Sequence, residues 1–149
     1  MLYRIRDFLK DEDREVYISP FDIRLPMEGE KDEDTETVVQ PDITVVCDKS
    51  KLDDKGCKGS PSFIIEIVSP LSAQRDMKDK FFLSEKAGVK EYWIVHPSDK
   101  TVMVFKLTKG GEYGKPDIYS WEDEVKAAVL SPLVIDLKEI FPGSYRAED

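Results

Sequence analysis

The stretch that decides the fold runs from Ser62 to Lys80 and reads SFIIEIVSPLSAQRDMKDK. Its first part, from residue 63 to residue 68, predicts a buried strand because nearly every side chain is apolar. Glu66 is the exception, and a buried carboxylate is costly unless another group pairs with it. The Ser69-Pro70 dipeptide ends the strand, and the helix that follows is predicted to carry Lys80 on its inward face. A buried acid and a buried base on adjoining elements indicate a site rather than an ordinary core.

The phase of this helix follows from its apolar positions. Ser72 is the expected N-cap and Gly88 the expected C-terminal stop. At about 100° per residue, one stripe of small and apolar side chains contains Ala73, Met77, Phe81, Ser84 and Ala87. Lys80 lies near the centre of that stripe, and Asp76 can pair with it from four residues earlier. The alternative is a lysine whose stem packs on the core while its amine reaches water.

Upstream of this stretch, the pattern predicts a helix over residues 2–10 and two strands. The first strand, Glu15–Leu25, is interrupted at Pro20 and places Asp22 and Arg24 on its less apolar face. Residues 26–37 form an acidic connection without periodicity. The second strand, Val38–Cys47, is apolar enough to be buried on both faces, and Asp42 lies at the edge of its buried part. Residues 48–60 are predicted to be a polar loop.

Downstream of the helix, residues 90–95 and 101–107 predict a hairpin. His96, the only histidine, falls in the turn and is expected to be a surface residue. Residues 113–119 indicate a weak strand, residues 121–141 are expected to close over the core, and residues 142–149 form a polar tail. The predicted fold is therefore α/β, with a small C-terminal accessory part.

Composition restricts the possible classes of function. A chain of 149 residues fits one domain. Its net charge of −9 does not attract nucleic acid from a distance, so such binding needs a basic patch or metal ions. Cys47 and Cys57 lack zinc-site spacing. Without an apolar run of about 18 residues or a signal peptide, the expected location is cytoplasmic and not in a membrane.

Two acids on consecutive strands predict the chemistry. If the strands are neighbours, the carboxylates of Asp42 and Glu66 converge, and together they suit Mg²⁺ or Mn²⁺. Such an ion makes bound water a better nucleophile, and a nearby ammonium from Lys80 would stabilise the transition state or orient the water. These parts suit phosphodiester hydrolysis. The sequence contains no Ser/His/Asp set, P-loop or dinucleotide-binding glycine pattern.

Several motifs in this order carry a resemblance to a known family: SPFDIRL (19–25), QPD (40–42), IEIVSP (65–70), RD (75–76) with Lys80, and GVKEYWIV (88–95). Over residues 1 to about 107 the chain resembles the Uma-two family of restriction endonucleases, within the PD-(D/E)XK nuclease superfamily. The resemblance implies an αβββαβ core with a mixed central sheet. It also implies that Asp42 and Glu66 are the metal-binding acids and that DNA is the substrate. A homodimer is expected on separate grounds, because exposed apolar surface favours association and two active sites can face two strands.

Two departures from the family pattern accompany the resemblance. The superfamily lysine normally follows the second acid by two residues, where this chain has Val68. In this family the following helix supplies the lysine, which matches Lys80. The chain also lacks the N-terminal segment expected of such members, so no further metal-binding Glu is assigned, and Asp22 is an outside candidate.

Two other hypotheses remain beside a Mg²⁺-dependent endonuclease. One is a non-catalytic, oligomerising or interaction module on a degenerate nuclease scaffold, in keeping with the charge of −9 and with apolar surface left exposed. The other is a small-molecule hydrolase, for which no residue marks a substrate pocket. The sequence does not fix a target site or a preference for DNA over RNA.

Overall fold

The computed structural model of the protein describes residues 1–10, 13–25 and 37–141. The helices are α1 (Leu2–Phe8), α2 (Gln74–Ala87) and α3 (Leu137–Ile140), with short 3-10 helices at Lys49–Lys51 and Ala128–Leu130. The strands are β1 (Glu15–Ile18), β2 (Ile23–Arg24), β3 (Val38–Val39), β4 (Ile43–Val46), β5 (Leu52–Asp53), β6 (Gly56–Lys58), β7 (Phe63–Ile67), β8 (Glu91–His96), β9 (Thr101–Lys106), β10 (Asp117–Ser120), β11 (Glu124–Lys126) and β12 (Val134–Asp136).

A mixed sheet of six strands forms the centre, in the order β1-β4-β7-β8-β9-β10. Strands β7 and β8 are parallel and are joined through α2, as a crossover connection requires. The other neighbours in this sheet are antiparallel. The fold is therefore α/β with a mixed central sheet, which confirms the predicted class.

Alternate residues of the central strands pack on opposite sides of the sheet, because side chains in a strand alternate between its two faces. On the α1 side, Phe63 and Trp93 are buried with Ile5 of α1. On the α2 side, Ile64 and Tyr92 are buried against Phe81 of α2. The C-terminal hairpin β11–β12 joins the α1 side of the core. No helix in the described ranges is long and apolar enough to cross a membrane.

The strand-helix unit at the centre of the fold agrees with the sequence pattern. Strand β7 and helix α2 occupy the predicted positions, and Gly88 ends α2 with a φ of 83°, a left-handed conformation that suits glycine. The predicted N-cap is wrong. Ala73 occupies that position without a side-chain cap, and the Ser72 hydroxyl instead accepts a hydrogen bond from the backbone N–H of Ser69 at 3.0 Å.

Each long strand predicted before residue 48 is in fact divided between two sheets. Strand β1 joins the central sheet, whereas β2 pairs with β3 and β6 in a second, four-stranded sheet. Likewise β3 belongs to the second sheet and β4 to the central one. The predicted polar loop at 48–60 is also wrong, since β5 and β6 lie within it. Residues 26–36 of the acidic connection and the tail at 142–149 lie outside the described residues.

The hairpin of β8 and β9 is confirmed, although His96 is the half-buried last residue of β8 and lies opposite Thr101 rather than in the turn. The weak strand is shorter than predicted. Strand β10 begins at Asp117, and Tyr113 only bridges to Leu107.

Candidate active site

Glu66 lies in the middle of the molecule, on the α2 side of β7. Its exposed fraction is 1%, and its neighbours along the strand on the same face are apolar. Strand alternation explains the position, because Ile65 and Ile67 must face away from α2 if Ile64 and Glu66 face toward it. An acid so placed needs hydrogen-bond donors.

Asp42 supplies one of these donors and is itself held by β7. Its backbone N–H donates to Oε1 of Glu66 at 2.9 Å, and its Oδ2 accepts from the backbone N–H of Ile67 at 2.7 Å. This exchange follows from the register, in which Ile43 lies opposite Ile65 and Asp42 therefore falls opposite Glu66. The two predicted acids are next to each other because their strands are neighbours.

Lys80 supplies the second donor from α2. Its Nζ lies 3.3 Å from Oε2 of Glu66, 3.3 Å from Oδ2 of Asp76 and 3.3 Å from the backbone oxygen of Gln40. The Lys80 side chain is only 19% exposed. The amine is thus directed at the acids, and the alternative of an amine in bulk solvent does not describe this lysine.

Asp22 is linked to this group only indirectly. Its Oδ1 accepts a hydrogen bond from the side-chain amide of Gln40, whose backbone oxygen in turn contacts Lys80. Arg24, expected to lie with Asp22, instead forms an ion pair with Asp53. Among the hydrogen bonds of the described residues, none joins Asp22 directly to Glu66 or Asp42.

Burial dominates the electrostatics of Glu66. It raises the pKa of this carboxyl to about 7, although the Lys80 ammonium and the Asp42 N–H both act in the opposite direction. For Lys80, burial alone would lower the pKa, but the carboxylates of Glu66 and Asp76 outweigh it and the pKa is raised. The lysine is therefore charged at neutral pH, while Glu66 takes up a proton readily.

A cavity of about 590 Å³ opens beside these groups. Its lining includes Asp42 and Lys80 from the charged group described above, together with Ser19, Val38, Val39, Gln40, Asp76, Asp79 and Leu83. Glu66 is not part of the lining and lies behind Lys80. A molecule in this cavity would meet the carboxylates of Asp42, Asp76 and Asp79 and the ammonium of Lys80.

Comparison with known proteins identifies the family of this chain. The sequence model of the Uma2 family, described as "Putative restriction endonuclease", matches residues 1–138. The chain belongs to the Uma2 family. The match extends about thirty residues beyond the segment in which the motifs were recognised, and so includes the C-terminal hairpin.

A solved structure shares the fold of this Uma2-family chain. It is the crystal structure of a protein from Anabaena variabilis ATCC 29413, described as a putative nuclease belonging to DUF820. The TM-score is 0.71 at 18% sequence identity, over 94% of this chain and 75% of that one. At this identity the likeness shows the fold. A search of curated proteins finds no match.

The donor set of the Uma2-family site can be tested against a divalent cation. Mg²⁺ in proteins is usually held by one or two carboxylates, with water and substrate oxygens completing its shell. Asp42 and Glu66 provide two carboxylates, and Oδ1 of Asp42 receives no hydrogen bond from a described residue. Within residues 1–10, 13–25 and 37–141, no three His, Cys, Asp or Glu side chains form a metal-binding group. Two carboxylates are as many as Mg²⁺ commonly takes from a protein, although both oxygens of Glu66 already accept hydrogen bonds, from the Asp42 N–H and from Lys80.

Two polar groups at the site were not found from the sequence. The backbone oxygen of Gln40 contacts Lys80, and no side-chain pattern could reveal a backbone acceptor. The second is the hydroxyl of Tyr92, which is buried on the α2 side without a partner among the described residues. Tyrosine is common in apolar strand patterns, so the pattern does not identify Tyr92 as a residue of the site.

A second buried acid, Glu91, lies on the other side of the sheet. It accepts hydrogen bonds from the indole of Trp93 at 2.6 Å and from the backbone of Val129 at 2.9 Å. Burial raises its pKa. Its contacts attach the C-terminal part to β8 and are remote from the cavity, so we assign it a structural role.

Proposed function

We propose that this protein is a metal-dependent endonuclease that hydrolyses DNA phosphodiester bonds in the cavity lined by Asp42 and Lys80. The single observation that supports the proposal most strongly is Glu66, a carboxylate that is 1% exposed and hydrogen-bonded to Asp42 and Lys80. Perturbed acids that share a cleft with a specific charged partner are typical of catalytic sites. Family membership favours a nuclease over other hydrolases.

In this proposal Asp42 and Glu66 hold the cation, with Mg²⁺ or Mn²⁺ as the expected ion. When bound, such an ion polarises a phosphoryl oxygen and lowers the pKa of water. Asp42 contributes Oδ1 from the cavity wall, while its Oδ2 is fixed by the N–H of Ile67 at 2.7 Å. A bound cation would also neutralise these acids. It would thereby lower the electrostatic cost of bringing DNA, a polyanion, to a chain of net charge −9.

Lys80 has the role of a charged hydrogen-bond donor. Its raised pKa keeps the amine protonated at neutral pH, and its place in the cavity wall brings that charge within reach of a phosphate group. An ammonium there stabilises the negative charge that develops on the phosphoryl oxygens, or orients the attacking water. Asp76 and the Gln40 oxygen, each 3.3 Å from Nζ, hold the amine at the cavity.

The experiment is cleavage of supercoiled plasmid with Mg²⁺ by the wild type, by Glu66→Gln and by Lys80→Met. We expect each substitution to slow nicking by about 100-fold or more, the magnitude typical of losing one electrostatic group at a reacting centre. Chelation of the metal should abolish nicking. Lys78→Met is the matched control, because Lys78 is exposed on the same helix and does not line the cavity.

Equal nicking by all four proteins would remove these residues from the mechanism and point to a contaminating nuclease. Slow nicking by Lys78→Met as well would indicate a general effect of helix charge on DNA binding rather than a specific role for Lys80.

We also propose that the protein forms a homodimer. The described residues include large apolar side chains that are exposed, namely Tyr3, Ile18, Val38, Ile67, Leu71, Phe82 and Ile118. Exposed apolar surface favours association, and two copies would place two sites on two DNA strands. Sedimentation of the wild type and of Phe82→Ser would measure the association.

A non-catalytic interaction module is the second candidate, and one observation favours it. All three contacts of the Lys80 amine lie within the protein at 3.3 Å, so the ammonium is satisfied without a substrate. Calorimetry separates the two functions. An endonuclease should bind Mg²⁺ or Mn²⁺ at millimolar concentration, with loss of binding in Glu66→Gln, whereas a module should give no heat of binding.

A further inference from the structure

Three buried hydroxyls on the α2 side of the sheet, those of Thr44, Ser84 and Tyr92, have no hydrogen-bond partner among the described residues. The exposed fraction of Tyr92 is 0%, and its hydroxyl contacts no donor or acceptor among the described residues. A buried hydroxyl without a partner is destabilising, because it has given up its hydrogen bonds to water. Phenylalanine would fill the same aromatic cluster without this cost, since the ring itself already packs edge-on against Phe81 at 5.4 Å.

The position of Tyr92 connects it to the acids. It lies opposite Ile64 in the parallel pair β7–β8, so it shares the α2 face with Glu66 and is its diagonal neighbour. Phe81, which its ring contacts, directly follows Lys80 in α2. Burial is the main cause that raises the pKa of Tyr92. The negative charge of Glu66 raises this pKa further, and that of Asp42 does so to a smaller extent. The hydroxyl is therefore within the electrostatic reach of the acid pair.

A neighbouring tyrosine shows what a structural hydroxyl looks like in the same cluster. Tyr113 packs 5.9 Å from Tyr92, and its hydroxyl donates to the backbone oxygen of Val89 at 2.6 Å. That bond belongs to the fold, although Tyr113 also packs on Phe81, at 5.2 Å. Tyr92 has no such bond, so its hydroxyl is available for a second state of the site.

We infer that Tyr92 is a positioning residue, whose hydroxyl takes over as hydrogen-bond donor to the Glu66 carboxylate when Lys80 leaves it for a phosphate group. This inference rests on the proposed function. In the state described here, Oε2 of Glu66 is paired with the Lys80 amine at 3.3 Å. If that amine turns to the cavity, a buried carboxylate oxygen loses its partner. Among the described residues, the unused hydroxyl donors of this face on the two strands beside β7 are those of Thr44 and Tyr92, and we assign the role to the longer tyrosine side chain.

The experiment removes the Lys80 amine by mutation. The measurement therefore needs neither metal nor DNA. Tyr92→Phe is made in the wild type and in Lys80→Met, with Lys80→Gln as a second background should Lys80→Met fail to fold. We expect Tyr92→Phe to leave the urea midpoint of the wild type unchanged or raised, and to lower that of the lysine variant. Tyr113→Phe is the matched control and should lower both midpoints equally.

Calcium calorimetry adds a readout on the site itself. With duplex DNA present to draw Lys80 away from Glu66, we expect Tyr92→Phe to weaken Ca²⁺ binding by about 10-fold, the lower range for groups that orient metal ligands, and Tyr113→Phe to leave it unchanged. Equal midpoint shifts for Tyr92→Phe in both backgrounds would overturn the inference. If the wild type neither binds metal nor cleaves DNA, the proposed function fails, and the two-background comparison still decides the role of Tyr92.

Discussion

Glu66 gives the stability of the protein a pH dependence opposite to that of a carboxylate held by an ion pair at the surface. The pKa of this carboxyl is about 7 in the folded protein, against 4.5 for an ordinary glutamate. Between these values the folded state holds a proton that the unfolded state has already released. The free energy of unfolding must therefore fall as the pH rises through this window. A shift of this size corresponds to about 3 kcal/mol.

The comparison of wild type with Glu66→Gln isolates this effect, in urea denaturation with a chelator present. Glutamine cannot ionise, so the variant should gain stability relative to the wild type between pH 5 and pH 8, by up to about 3 kcal/mol. Glu122→Gln, on the exposed surface, is the matched control and should stay within about 0.5 kcal/mol of the wild type. A constant difference for Glu66→Gln as well would mean that Glu66 ionises normally when buried.

At the residue scale, the sequence revealed those groups that violate a pattern. Glu66 interrupts an apolar strand and Lys80 interrupts an apolar helical stripe, so both were marked, and the structure places them 3.3 Å apart. Asp42 could be assigned to the site only on the further assumption that its strand lies beside β7. The pairing of β4 with β7 supports this assumption. Tyr92 violates no pattern, because its ring is apolar and only its hydroxyl matters. The residue type alone could not have distinguished the unpaired hydroxyl of Tyr92 from the paired hydroxyl of Tyr113.

At the scale of the elements, the second sheet was the main feature that the sequence did not reveal. Strands β2, β3, β5 and β6 have only two or three residues each. So short a strand has too few residues for an alternating pattern to be distinguished from a loop. By contrast, β7, α2, β8 and β9 are long enough for their periodicity to predict both type and position. These longer elements carry Glu66, Lys80 and Tyr92.

Gly56 determines how closely β6 can approach the segment that holds Asp22. Its φ is 124°, and a Cβ atom at this position would lie 2.2 Å from the backbone oxygen of Asp22. The same oxygen accepts the N–H of Cys57 at 2.9 Å. A side chain here must therefore push β2 away from β6 or break this bond, and the backbone conformation itself is unfavourable for any other residue.

We expect Gly56→Ala to lower the free energy of unfolding by about 2–4 kcal/mol, from backbone strain and overpacking together. Gly88→Ala is the matched comparison. Its φ of 83° also favours glycine, but no atom lies within 4 Å of the added Cβ, so only about 1 kcal/mol should be lost. Urea denaturation of the two variants measures the difference. Equal losses would show that β2 can shift without cost.

At the scale of the whole molecule, the C-terminal part is more closely tied to the core than its description as an accessory part implies. Val125, Ile135 and Leu137 are each 0% exposed and belong to the same cluster as Trp93 of β8. The Val129 N–H is one of the donors that hold the buried Glu91. The hairpin β11–β12 thus covers the α1 side of the sheet, opposite the candidate active site on the α2 side.

This arrangement predicts one cooperative unfolding transition for the core and the hairpin together. Val125→Ala removes buried methyl groups from the hairpin and should lower the free energy of unfolding by about 1–3 kcal/mol. Because Trp93 lies in the same cluster, tryptophan fluorescence and far-ultraviolet circular dichroism should report the same reduced midpoint. Lys126→Ala, the exposed neighbour in β11, should stay within about 0.5 kcal/mol of the wild type. Two separate transitions in Val125→Ala, with the second unchanged, would instead mean that the hairpin unfolds as an independent unit and that the nuclease-like sheet is stable without it.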